Sequence, residues 1–244
     1  MTPSEGTLHV YNDPAALTHA AAEWIVSQAR AKTGRFVLVL SGGSTPRPVY
    51  EALARPPFLD QFPWSRTVFV IGDERFVPYE DPESNWGMIQ AAMLDHVPVP
   101  VENLMPITTV GLTLEEAAVE YEHRLKKLHG ADHLDHLRPL FDVCLLGLGD
   151  DGHTASLLPH EPVLGVTDRW VAPVPYGREE GRITLTYPAL NSSAAIAFLV
   201  AGQSKRHVVD YVLSGATDIP AGRLRPAGEV HWFLDRAAAG DHAP

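Results

Sequence analysis

A histidine set among glycines at the end of an apolar run is the residue here best suited to moving a proton. His153 stands in Gly147-Leu148-Gly149-Asp150-Asp151-Gly152-His153-Thr154-Ala155-Ser156. An unperturbed imidazole titrates at about 6.5, so it can take and return a proton near neutral pH. Asp151 is close enough in the chain to orient that ring or raise its basicity, although Asp-x-His spacing alone does not fix the geometry. The same segment satisfies GxGxxG, which invites a dinucleotide reading. That reading fails, because Asp150 and Asp151 would put negative charge where a pyrophosphate needs N–H donors.

Four other segments carry groups that could bind an anion. In Ser41-Gly42-Gly43-Ser44-Thr45-Pro46 a Gly-Gly turn leads into a helix start, where free N–H groups and the dipole favour a phosphate. No Gly-Lys-Ser/Thr follows, so this is not a Walker loop, and a plain tight turn is the alternative. Gly72-Asp73-Glu74-Arg75-Phe76-Val77-Pro78, followed by Ser84-Asn85-Trp86-Gly87, places three charged residues directly after an apolar strand. Such charges are costly to desolvate unless they face a wet crevice. Arg75 could bind a sugar oxygen, a phosphate or a developing oxyanion, and Asp73 could accept from sugar hydroxyls. The alternative is a local Asp73–Arg75 ion pair with a Ser or Asn cap. In the segment Arg182–Asn191, Arg182 opens an alternating strand and either reaches an anion or lies on the surface. Lys205, in Gly202-Gln203-Ser204-Lys205, falls in the first turn of a helix, where positive charge opposes the dipole unless an anion is bound.

The elements that must position these groups alternate in type. Apolar strands are expected at Leu8–Tyr11, Phe36–Leu40, Thr67–Ile71, Phe141–Leu146, Ala194–Val200 and Glu229–Leu234. Helices are expected from Asn12 or Asp13 to Gly34, from Ser44 onward, over Ser84–Val97 and over Leu112–His129. Several strands are apolar throughout, as a sheet covered by helices on both faces requires. The β-α order implies mostly parallel, right-handed connections, with the ligand beyond the carboxyl ends of the strands. The candidate residues sit at those ends. The 244 residues are long for one domain and short for two; with no linker or repeat, residues 1–244 read as one domain. Only the tail after Arg236 reads as prone to fray.

A formal charge of −11 argues against a nucleic-acid or acidic-membrane surface, but not against an anionic small molecule in a pocket. The lone Cys144 lies in an apolar strand and reads as a core residue. No signal-peptide pattern opens the chain and no apolar run is long enough to span a membrane, so a cytoplasmic location is expected. The spacing of His123, His129, His133 and His136, with Asp132 and Asp135, could suggest a metal site, but no well-formed ligand motif appears and the stretch reads as a helix end and a connecting loop.

Taken together, the segments SGGSTP (41–46), GDERFVP (72–78), SNWG (84–87), LGLGDDGHTASLLP (146–159), RITLTYPALN (182–191), GQSK (202–205) and IPAGRL…EVHWFLD (219–235) resemble the 6-phosphogluconolactonase family. The main departure is Leu158, where an aromatic residue is more usual. The resemblance implies a three-layer α/β/α fold with a mostly parallel, Rossmann-like central sheet, akin to the glucosamine-6-phosphate deaminase group. It implies hydrolysis of 6-phosphogluconolactone to 6-phosphogluconate, the second step of the oxidative pentose phosphate pathway, with no metal or organic cofactor. His153 would be the general base, with Asp151 and Arg75 as active-site partners. Ser41, Gly42, Gly43, Ser44, Thr45, Asp73, Arg182 and Lys205 would hold the substrate. The expected partner is the sugar-phosphate lactone alone, with the protein a monomer or homodimer. The nearest rival, an amino-sugar-phosphate deaminase, would carry a further carboxylate soon after the DGH motif; here only the slightly later Glu161 is on offer. A non-catalytic sugar-phosphate sensor would need an output module, and the chain has no segment that reads as one.

Overall fold

The computed structural model describes residues 2–135 and 137–243. Among the described residues ten strands form: β1 Thr7–Tyr11, β2 Phe36–Leu40, β3 Thr67–Ile71, β4 Asp73–Arg75, β5 Leu104–Met105, β6 Phe141–Leu146, β7 Val171–Val174, β8 Arg182–Leu185, β9 Ser193–Val200 and β10 Glu229–Asp235. The α-helices are α1 Pro14–Ala31, α2 Pro46–Leu53, α3 Phe58–Gln61, α4 Asn85–Ala92, α5 Leu114–His129, α6 Tyr187–Asn191, α7 Arg206–Leu213 and α8 Arg236–Ala239.

Seven strands make one sheet in the order β1-β10-β9-β6-β2-β3-β5, parallel throughout. Every residue of β2 and β3 is buried, so both faces of the sheet centre are covered by helices. The chain runs outward from β2 to β3 and β5, then returns to β6 on the other side of β2. That reversal is the switch point of the sheet, where a crevice opens beyond the strand ends. The neighbours β9, β6, β2 and β3 are the strands whose ends carry the candidate residues.

Local chemistry explains most boundaries. Asp13 caps α1 through Ala16 N–H at 2.8 Å, and Pro14 occupies its first position. Thr113 and Glu116 form a capping box on α5, which Gly130 ends in the left-handed region at φ 76°. The expected Ser84–Val97 helix is shorter, because the chain leaves helical geometry at Met93 and makes only a 3-10 turn over Leu94–His96.

Two features depart from the sequence reading. A second, antiparallel sheet, β4-β8-β7, leaves the main one at Gly72, and β5 adds an edge strand two residues long. The described part of the tail after Arg236 forms structure: Asp235 caps α8 through Ala238 N–H at 2.8 Å, Ala238 and Ala239 are buried, and a 3-10 turn follows over Gly240–His242. Small apolar residues read as a loose end in sequence, yet two of them pack beneath α7 and β10. Among the described residues no helix is long and apolar enough to cross a membrane.

Candidate active site

Two helical tyrosines hold the strand ends in place. Tyr50 of α2 is buried; its hydroxyl accepts from Ser41 N–H at 2.9 Å and donates to Ser41 O at 2.8 Å. Tyr121 of α5 does the same for β3, accepting from Ile71 N–H at 2.9 Å and lying 3.0 Å from Ile71 O. Beyond Ser41 the chain turns through Gly42 and Gly43. A Cβ on Gly42 would sit 1.8 Å from Asn85 Oδ1, so only glycine fits. No side chain caps α2, and Thr45 and Pro46 at its start line the cleft; Pro46 and Pro48 carry no N–H, so the turn before the helix supplies most of the backbone donors there.

Asp73, Glu74 and Arg75 form the short strand β4. Asp73 is buried and its Oδ2 accepts from Ser156 Oγ at 2.6 Å. Arg75 Nη1 donates to Asn85 Oδ1 at 2.6 Å and Glu83 O at 2.9 Å, so the local Asp73–Arg75 ion pair does not form. Arg75 stands opposite Arg182 in the antiparallel register, which brings two guanidinium groups together at the cleft. Like charges placed so are unfavourable unless an anion joins them. Burial, together with Arg75 and Arg178 nearby, pushes the Arg182 guanidinium below its ordinary pKa despite the opposing Asp73. Ser41 Oγ, Arg75 Nε and Arg182 Nε are buried without a hydrogen-bond partner, which is costly unless a ligand supplies one.

Glu74 is fully buried and accepts four hydrogen bonds: from the N–H groups of Arg75 (2.8 Å), Asn85 (2.7 Å) and Trp86 (2.7 Å), and from Ser84 Oγ (3.1 Å). It thereby ties the start of α4, and Asn85 with it, to the strand that carries Arg75. Burial pushes its carboxyl up to about 7 against the opposing pull of those N–H groups. Because the folded value lies above the ordinary 4.5, its proton favours the folded state. That contribution is complete below 4.5 and is lost as pH rises through about 7. The stability of the wild type relative to Glu74→Gln should therefore fall as pH rises across this window. Denaturant unfolding at several pH values checks it, and a pH-independent difference would contradict it.

The turn after β6 holds the histidine. Gly149 N–H donates to His153 O at 2.8 Å, Thr154 Oγ1 to Gly147 O at 2.9 Å, and Gly152 takes φ 80°. Asp151 Oδ1 accepts from His153 N–H at 3.1 Å and lies 2.5 Å from His153 Nδ1. Partial burial would raise the Asp151 carboxyl, but hydrogen bonds from Arg178 and His153 outweigh it and hold it well below the usual carboxylate range. An ionised carboxylate only accepts, so Nδ1 carries the ring proton and Nε2 is left as the basic nitrogen. Among the described residues no hydrogen bond engages Nε2.

Lys205 closes the site from the end of β9. It ends a 3-10 turn, Gln203–Lys205, and immediately precedes α7, close to its expected position. Its Nζ lies 2.7 Å from Asp150 Oδ1.

The resulting cleft has a volume of about 220 Å³, suited to one small metabolite. Ser41, Gly42, Gly43, Ser44, Thr45, Asp73, Arg75, His153, Arg182 and Lys205 all line it; Asp151 lies behind the imidazole. Two contributors were not among the candidate site residues, although Asn85 lies in the SNWG segment. Asn85 lines the cleft and orients Arg75 from α4. Arg178 reaches Asp151 Oδ2 at 2.7 Å from the β7–β8 turn. Glu161 is absent from the lining, and its carboxylate sits against Gly177 of that same turn. In the histidine-rich stretch, His129 packs edge-on against Trp170 and His133 meets Asp132 on the surface, while His136 lies outside the described residues. Among the described residues no three His, Cys, Asp or Glu side chains gather as metal ligands would.

Comparison with known proteins agrees with this architecture. The family model for glucosamine-6-phosphate isomerases/6-phosphogluconolactonase matches residues 12–232. A 6-phosphogluconolactonase from Synechocystis sp. is 40% identical over 90% of each chain. The crystal structure of 6-phosphogluconolactonase from Thermotoga maritima, 30% identical, superposes with a TM-score of 0.80 over 94% of this chain and 99% of its own. A monomeric glucosamine-6-phosphate deaminase, 23% identical, superposes with a TM-score of 0.79, which speaks for the fold alone. The chain belongs to the glucosamine-6-phosphate isomerase/6-phosphogluconolactonase family.

Proposed function

We propose that this enzyme hydrolyses 6-phosphogluconolactone to 6-phosphogluconate, with His153 as the general base. One observation carries the reading: an imidazole with a free Nε2, backed by Asp151 at 2.5 Å, faces a cleft lined by unpartnered guanidinium nitrogens and an open helix start. The lactone is an activated ester with a remote phosphate. Holding that phosphate supplies binding energy away from the reacting carbon and orients the carbonyl. The Ser41–Thr45 turn, Lys205 and Arg182 would bind it. His153 Nε2 would accept a proton from water as the water oxygen bonds to C1. Arg75 would face the oxyanion that forms there. Collapse of the tetrahedral intermediate breaks the C1–ring-oxygen bond, and the imidazolium returns its proton to that oxygen. Asp151 stays ionised and holds Nδ1–H throughout. Asp73, fixed by Ser156, would accept from sugar hydroxyls. All these groups come from one chain, 1–244, so a monomer suffices.

The test is lactone hydrolysis measured against the spontaneous rate, with ammonia release from glucosamine 6-phosphate as the second arm. Hydrolysis above background without ammonia supports the reading; ammonia release without lactone hydrolysis overturns it. Substitution Lys205→Ala should raise KM about tenfold or more with little change in kcat, as expected for a group that binds ground and transition states alike. An unchanged KM would mean that the phosphate sits elsewhere.

A further inference from the structure

Arg178 belongs to no motif in the sequence, yet it is the second partner of the carboxylate that orients the histidine. It sits in the turn between β7 and β8, remote in sequence from Asp151. Its Nη2 lies 2.7 Å from Asp151 Oδ2, while Asp151 Oδ1 is 2.5 Å from His153 Nδ1. Its Nη1 donates to Gly177 O at 2.8 Å, which anchors the guanidinium to its own turn. We propose that Arg178 is a positioning residue for the hydrolysis: it clasps Asp151 so that the remaining oxygen fixes the imidazole with Nδ1 protonated and Nε2 toward the cleft. The inference rests on the lactonase reading for its effect on rate, but the clasp itself can be observed without catalysis.

The Asp151 side chain is 39% exposed, so a single contact to His153 would leave it free to turn into water. With one oxygen on each partner, both rotation and solvation are restricted. The same imidazole is backed by Gly149, where no Cβ fits, so its plane is fixed from two sides. Arg178 makes no comparable packing contact. It is exposed, and so are Pro175, Tyr176, Gly177 and Glu179 beside it in the turn. The charged groups near it are Asp151, Arg182 and the turn's own Glu179 and Glu180, with Glu161 against Gly177. Asp151 is in hydrogen-bond contact at 2.7 Å, and the same Nη2 lies 3.5 Å from His153 Nδ1, a long approach beside the 2.5 Å between Nδ1 and Asp151 Oδ1. Outer partners of metal-bound histidines are typically worth about 10- to 100-fold, and an effect at the lower end of that scale is expected for Arg178, which acts through Asp151 in the same way.

The experiment compares wild type, Arg178→Ala and Arg178→Lys by kinetics and by nitrogen-15 NMR of the His153 ring. For Arg178→Ala the expected result is a kcat about tenfold lower with KM within about twofold. Arg178→Lys should recover part of the loss, because it keeps the charge but not the fork. Added guanidinium at tens of millimolar should raise kcat of Arg178→Ala but not of His153→Ala. The NMR spectrum should show a single Nδ1-protonated tautomer in the wild type and a mixture in Arg178→Ala. An unchanged tautomer in Arg178→Ala overturns the clasp even if the protein has no lactonase activity. A loss confined to KM, a wild-type kcat, or a loss that neither lysine nor guanidinium relieves would also overturn it. Absence of lactonase activity in the wild type, with the tautomer shift intact, counts against the proposed reaction instead.

Discussion

His153→Ala is expected to lower turnover at least about 100-fold while leaving affinity for 6-phosphogluconate nearly unchanged. General base catalysis is typically worth about 10²–10⁴ in rate, and among the described residues no other imidazole lines the cleft. The ring is 26% exposed and its one strong contact is Asp151, so its removal costs little stability, within about 1 kcal/mol. The phosphate-binding groups come from other strand ends and should be unaffected. The signature is therefore a fall in kcat with product inhibition preserved. Because the lactone also opens unaided, the spontaneous rate must be subtracted. Turnover like that of the wild type would remove His153 from the mechanism.

An effect nearly as large is expected from adding one methyl group. A Cβ on Gly149 would lie 2.0 Å from His153 Nδ1, 2.2 Å from Cε1 and 2.8 Å from Asp151 Oδ1. These are far inside van der Waals contact, so the imidazole must leave its place. The obstructing atoms are the end of a movable side chain, and Gly149 is not among the glycines with positive φ, so the fold can absorb the change. Displacing a catalytic group by about 1 Å can cost about 10²-fold. Gly149→Ala should thus lower kcat about 100-fold, with KM and the unfolding midpoint close to those of the wild type. The double variant Gly149→Ala/His153→Ala should be no slower than His153→Ala alone, since both changes remove one function. Multiplying losses would show that Gly149 acts through something other than the ring.

Much of this site was legible because a parallel sheet gathers its carboxyl ends. Once Phe36–Leu40, Thr67–Ile71, Phe141–Leu146 and the 194–200 run were read as buried strands, the polar residues after each had to meet in one crevice. Periodicity could not reveal what joins them across the fold. Arg178 reaches Asp151 from a turn of ordinary polar composition, and the hydroxyl of Tyr50 is indistinguishable in sequence from any helical tyrosine. The antiparallel sheet was missed because β4 is only Asp73–Arg75, and three charged residues carry no strand pattern. Its consequence is large, since that register sets Arg75 against Arg182. The Asp150–Lys205 pair at 2.7 Å was likewise unforeseen: an acid expected to repel a pyrophosphate instead neutralises a cation at the cleft.

On the proposed mechanism one crevice holds the phosphate of a sugar lactone and aims its C1 at His153. A crystal structure with bound 6-phosphogluconate tests it most directly. The phosphate should rest on the Ser41–Thr45 turn with Lys205 drawn away from Asp150, and the C1 carboxylate should lie within about 3.5 Å of His153 Nε2. A sugar acid bound with its carboxylate end away from His153, or outside this cleft, would contradict the account.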